Sequence, residues 1–124
     1  MPSVLIIEDD KGLSRALVIS LRARGYEVRS AGSGRAGLDA ARLAYPDVVV
    51  LDLGLPDMDG IEVLRALRAW SQVPVVILSA RQTGQERAAA LAAGADDYVT
   101  KPFRLDTLLA RLSTANRRGQ GRPS

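Results

Sequence analysis

The 124-residue chain contains no cysteine and no histidine. Without cysteine there is no disulfide, no thiol nucleophile and no zinc–thiolate site, a usage that fits a reducing compartment, so a cytoplasmic location is expected. The missing histidine removes the usual general base, the commonest metal ligand and any phosphohistidine role for this chain. Chemistry here must therefore run on carboxylates, hydroxyls and lysine. A long apolar run is also lacking: none approaches the ~20 residues that a bilayer span requires. The opening MPSVLIIEDD has neither the basic start nor the long apolar centre of a signal peptide, so no membrane association is expected.

What remains is ordinary for a soluble globular protein: 47% hydrophobic and 25% charged residues, in a length suited to one domain with one core. The net charge is +3, and Arg117, Arg118 and Arg122 near the C-terminus account for that excess. A basic nucleic-acid patch on the folded body is not implied.

Apolar runs at 4–7, 48–51 and 74–78 read as buried strands, with weaker strands at 27–30 and 98–100. Between them, 11–24, 34–44, 61–70 and 83–93 carry helical periodicity, several closed by Gly or a turn. Leu105, Leu108, Leu109 and Leu112 mark a last amphipathic helix ahead of RRGQGRPS, which reads as a polar, flexible end. Five strand–helix units imply a parallel sheet covered on both faces, an α/β doubly wound sheet of flavodoxin-like order 2-1-3-4-5.

In such a sheet, ligands bind outside the carboxyl ends of the strands. After the first strand come Glu8, Asp9 and Asp10; after the third, Asp52 and then Gly54; after the fourth, Ser79; after the fifth, Lys101 and Pro102. Crowded carboxylates push one another's pKa upward and call for a cation. Hard oxygen donors with no soft ligand suit Mg²⁺. A carboxylate can act as nucleophile in phosphoryl transfer, and Asp52, following the central strand, is the best candidate. Mg²⁺, Lys101 and the Ser79 hydroxyl would then stabilise the phosphoryl oxygens. By contrast, Asp57 and Asp59 in PDMDG read as turn residues, Asp10 as a helix N-cap or a group behind the metal ligands rather than a ligand itself, and Trp70 as a packing or surface residue.

The motifs VLIIEDD, VVVLDLGLPDMDG, VVILSAR and GADDYVTKPF, in this order, resemble the receiver domain of two-component response regulators. DDYVTKPF ahead of an Arg-containing last helix resembles the subfamily that carries a winged-helix DNA-binding domain. The resemblance spans 1–118 as the receiver, leaving 119–124 as a linker or tail toward a C-terminal DNA-binding domain outside this chain. It implies that Asp52 takes a phosphoryl group from a sensor histidine kinase. Asp9, Asp52 and the Gly54 carbonyl would ligate Mg²⁺, with Glu8 acting through water. Ser79 and Lys101 would contact the phosphate, Ser79 and Tyr98 would form the switch, and the Lys101–Pro102 bond would be cis. Homodimers would form on phosphorylation through a face that includes Arg87, Asp96, Asp97, Arg111 and Arg118, with DNA bound only by the C-terminal domain. One departure is Thr107, where the family usually has a Glu that pairs with the basic residue at Arg87. Exposed ion pairs contribute only ~0–1 kcal/mol, so a similar but weaker interface is expected.

On this reading the chain assists its own phosphorylation and dephosphorylation and turns over no separate substrate, so it is not an enzyme in the usual sense. Two rivals are a stand-alone receiver acting as an adaptor and a phosphatase of the haloacid-dehalogenase type. The latter places a second acid two residues after its nucleophile, where this chain has Gly54.

Overall fold

The computed structural model describes residues 1–81 and 83–121. Strands β1 (Ser3–Ile7), β2 (Glu27–Ala31), β3 (Val48–Asp52), β4 (Val75–Ser79) and β5 (Asp97–Thr100) alternate with helices α1 (Lys11–Ala23), α2 (Gly34–Ala44), α3 (Gly60–Arg68), α4 (Gly84–Ala92) and α5 (Leu105–Gln120). The strands form one parallel sheet in the order β2-β1-β3-β4-β5, the order expected from sequence.

Successive side chains along a strand point to opposite faces, and the apolar strands feed two separate cores. Val4, Ile6, Val48, Val50, Val76 and Leu78 pack under α1 and α5, against Leu17, Leu21, Leu108 and Leu112. Leu5, Ile7, Val49, Leu51, Val75 and Ile77 pack under α2, α3 and α4, against Leu38, Val63, Leu64 and Leu67. Continuous apolar runs, rather than alternating ones, are what a sheet covered on both sides demands.

Side-chain caps fix the starts of α1, α2, α3 and α4, while the start of α5 has no side-chain cap bond. The Asp10 carboxylate accepts from the Leu13 N–H at 3.1 Å, and the Asp59 carboxylate from the Ile61 N–H at 3.0 Å. Asp10 is thus the N-cap of α1, a role the sequence suggested, whereas Asp59, which read as a turn residue, is the N-cap of α3. Asp57 has a longer reach: its two oxygens accept from the Gly34 and Arg35 N–H groups, at 2.8 and 3.0 Å, and so anchor the β3–α3 loop to the N-terminus of α2. These bonds hold its carboxyl below the usual aspartate range. Gly60 closes the same loop, because a Cβ there would stand 2.6 Å from the Leu53 Cα. Trp70, following α3, packs edge-on to Tyr45, with the Arg42 guanidinium 5.4 Å from its ring centre.

One boundary differs from expectation. α5 continues to Gln120, through residues that read as a flexible end. Gly119 does not break it; the residue lies so close to Pro74 that a Cβ would overlap the proline ring. Of the segment expected as linker, 122–124 fall outside the described residues.

A depressed carboxyl pKa adds stability that is full above the unfolded value and is lost as pH falls through the folded one. Asp57→Asn is therefore expected to lower the melting temperature at neutral pH. The gap from the native chain should close as pH is taken below the ordinary 3.8, as followed by thermal melts across pH.

Candidate functional site

The carboxyl ends of β1, β3, β4 and β5 bring Glu8, Asp9, Asp52, Ser79 and Lys101 to one edge of the sheet. Glu8 and Asp52 are 3% and 5% exposed, while Asp9 stands open to solvent. One carboxylate oxygen from each of Glu8, Asp9 and Asp52 lies within 4.8 Å of the others. Lys101 reaches in from the end of β5: its Nζ lies 2.9 Å from Glu8 Oε1 and 3.3 Å from Asp52 Oδ1. The Lys101–Pro102 peptide that begins the next loop is cis, as the resemblance implied.

Burial pushes the Glu8 carboxyl above its usual range and the charge of Asp52 adds to this, against the bond from Lys101 and the Asp10 N–H at 3.2 Å. Burial opposes the charge on Lys101, yet Glu8 and Asp52 outweigh it and hold the ammonium pKa above its ordinary value. Glu8 and Asp52 share this one ammonium and Asp9 stands beside them, so the donor set suits a hard divalent cation and offers it only oxygen. Gly54 lies beside the cluster, where a Cβ would stand 3.7 Å from Asp52 Oδ2. An open cleft of about 750 Å³ leads to Asp52 between the loops that follow β3 and β4, with Gly54, Ser79, Arg81, Glu86 and Lys101 among its walls.

Ser79, at the end of β4, is 2% exposed. Its hydroxyl donates to Glu86 Oε1 at 2.7 Å and accepts from the Arg81 N–H at 3.1 Å. The Tyr98 hydroxyl lies 2.8 Å from the same Glu86 oxygen and 3.1 Å from the Arg81 carbonyl. Thus Ser79 and Tyr98, on neighbouring strands, are joined through a residue on α4.

Residues 4–113 match the family model described as "Response regulator receiver domain". The chain belongs to the response regulator receiver family. Over 95% of its length the receiver is 55% identical to the "Transcriptional regulatory protein KdpE" of Mycobacterium tuberculosis and 50% identical to the "KDP operon transcriptional regulatory protein KdpE" of Escherichia coli K12. It covers 52% of each, so it spans about half the length of these relatives. A Francisella response regulator receiver domain superposes with a TM-score of 0.90 at 34% identity, covering 95% of this chain and 98% of that one.

Of the residues expected on a dimer face, Arg87 lies on α4, Asp97 on β5, and Arg111 and Arg118 on α5, whereas Asp96 precedes β5. The Asp97 carboxylate pairs with Arg111 Nη1 at 2.8 Å. The Asp96 carboxylate instead accepts from the Val75 N–H at 2.7 Å and pairs with Arg68 at 3.2 Å. The Arg87 guanidinium lies over the Tyr98 ring, 5.8 Å from its centre, and Arg118 is in the last turn of α5. Thr107, at the position where an acid is expected, is exposed on α5.

Glu86 was not singled out from sequence. Thr83 and Glu86 have the Ser/Thr-x-x-Glu form of a capping box, which signals only a helix start. Nothing local to residue 86 announces its contacts with β4 and β5.

In the metal-free receiver, Asp52→Asn removes a like charge that pushes Glu8 upward. The Glu8 titration midpoint should then move down toward its ordinary 4.5, followed by carboxyl carbon NMR; an unmoved midpoint would mean that the two groups do not interact.

Proposed function

We propose that this receiver is the phospho-acceptor module of a KdpE-like transcription regulator, with Asp52 accepting a phosphoryl group from the phosphohistidine of a sensor kinase. The observation that carries the proposal is the position of Asp52: a buried carboxylate at the end of the central strand, within 4.8 Å of two further acids and 3.3 Å from Lys101. An Asp52 oxygen attacks phosphorus as the bond to the histidine nitrogen breaks; with the other ring nitrogen of the phosphohistidine carrying a proton, the products are an aspartyl phosphate and a neutral histidine on the kinase. Positioning and fixed charge supply most of the catalysis in such a transfer. Lys101 holds the nucleophile and then balances charge on the phosphoryl oxygens, and Ser79 donates its hydroxyl proton to one of them.

Asp9, Asp52 and the Gly54 carbonyl would hold Mg²⁺, with Glu8 acting through water; all are oxygen donors, which suits that ion. When bound, Mg²⁺ neutralises the acid cluster and takes charge from a phosphoryl oxygen. Tyr98 follows Ser79 inward, and the α4–β5–α5 face, with Arg87, Asp96, Asp97, Arg111 and Arg118, then pairs two receivers. DNA is contacted through a separate winged-helix domain, a reading supported by relatives named as transcriptional regulators that are about twice as long. The site lies in the cytoplasm with its kinase, and among the described residues no helix is long and apolar enough to cross a membrane. The chain assists the gain and loss of its own phosphoryl group and turns over no separate substrate.

Mixing with Mg²⁺ and acetyl phosphate should add one phosphoryl mass to the native chain and none to Asp52→Asn. Sedimentation should shift toward a dimer in the first case only. Full phosphoryl uptake by Asp52→Asn would end the assignment, and steady turnover of a phosphate ester would favour a hydrolase instead. Mg²⁺ alone should raise the melting temperature with concentration, by mass action on the folded state, and Asp9→Ala should abolish that rise.

A further inference from the structure

We infer that Glu86 is a positioning residue that holds the receiver in its unphosphorylated form, by engaging the Ser79 and Tyr98 hydroxyls with one carboxylate. This inference rests on the phospho-acceptor reading of Asp52 and extends it to a residue outside the acid cluster.

Glu86 lies in the first turn of α4, where the Thr83 hydroxyl accepts from its N–H at 3.2 Å. In a capping box the acid would reach back to the N–H of the cap. Here Oε1 instead takes Ser79 at 2.7 Å and Tyr98 at 2.8 Å, while Oε2 takes Arg81 Nη1 at 3.1 Å. Burial disfavours its charge, but the Ser79, Tyr98 and Arg81 donors outweigh that and hold its carboxyl below the usual glutamate range. It is therefore an ionised, acceptor-only group at neutral pH.

A serine hydroxyl has one proton. While Ser79 donates it to Glu86, none is left for a phosphoryl oxygen on Asp52. Hydrogen bonds to an ionised acceptor are roughly twice as strong as neutral ones, so the phosphoryl group must compete with a strong partner. Tyr98 is tied to that competition through the same oxygen. Its ring is also covered by the guanidinium of Arg87, so consecutive residues of α4 grip both ends of the tyrosine.

α4 itself has little apolar attachment. It contributes Ala90 alone to the core, whereas α3 buries Gly60, Val63, Leu64 and Leu67. Elements with few buried apolar contacts open at low free-energy cost. The polar grip of Glu86 is thus a large part of what ties α4 to β4 and β5. Release of Ser79 toward Asp52 removes one donor from Glu86 and loosens the hold on Tyr98 at the same time.

The closing experiment titrates the chain with beryllofluoride and Mg²⁺ by calorimetry, using the native protein, Glu86→Gln, Ser79→Ala and the Glu86→Gln/Ser79→Ala pair. Apparent affinity rises with the fraction of molecules already in the competent form, so Glu86→Gln should bind about fivefold more tightly or better. The pair should bind no more tightly than Ser79→Ala, because Glu86 acts through Ser79. A residue that merely anchors α4 would give the opposite sign, and unchanged or weaker binding by Glu86→Gln overturns the inference. A reading independent of the analogue is the Tyr98 hydroxyl titration. Burial and the neighbouring Glu86 charge raise it, so it should fall in Glu86→Gln, and no fall counts against the inference. Native binding that survives Asp52→Asn would instead refute the phospho-acceptor reading, which keeps the two failures apart.

Discussion

Because all five strands run in one direction, their carboxyl ends share an edge, and every polar residue that follows an apolar run arrives there. This geometric constraint gathers Glu8, Asp9, Asp52, Ser79 and Lys101 from positions 93 residues apart without any further folding instruction. It also sets the main electrostatic difficulty, since three carboxylates converge there and two of them, Glu8 and Asp52, are buried. Lys101 answers part of it by bonding to the ends of β1 and β3 from the end of β5, which couples three strand ends through one ammonium. The rest of the molecule is apolar support: two cores, one on each face, hold the edge rigid.

Against that frame, the elements differ in how firmly they are held. α3 and α5 each bury four residues, whereas α4 buries one and depends on hydrogen bonds and a ring contact instead. The helix with the weakest apolar anchorage is the one whose first turn touches both Ser79 and Tyr98. A receiver that has to change one face and keep its core can do so with this distribution.

What the sequence made legible were features that act through chain order or nearest neighbours. The apolar runs located the strands, the strand–helix alternation set the sheet order, and the polar residues after each run marked the acid cluster. Asp10 was readable because a cap works within three residues, and Asp59 was readable only as a local structural residue of the turn. Asp57 and Glu86 were not, because their partners lie 22 or 23 and 7 or 12 positions away and only the fold brings them near. The end of α5 was misread for a related reason. RRGQG has the composition of a linker, but Gly119 is small because Pro74 leaves no room for a side chain, a fact that belongs to packing and not to local propensity.

The acid cluster also implies an order of arrival. With its carboxylates ionised, the edge carries three negative charges against the single positive charge of Lys101. An anionic phosphodonor approaching that edge meets net repulsion, which a divalent cation would cancel. On the proposed function, the cation would be the first visitor and the phosphoryl group the second. An aspartyl phosphate at Asp52 would replace one carboxylate charge with those of the phosphate, so the edge would end more negative than with metal alone. Such a site would repel any further anion, and one phosphoryl group per receiver would follow from charge as well as from space.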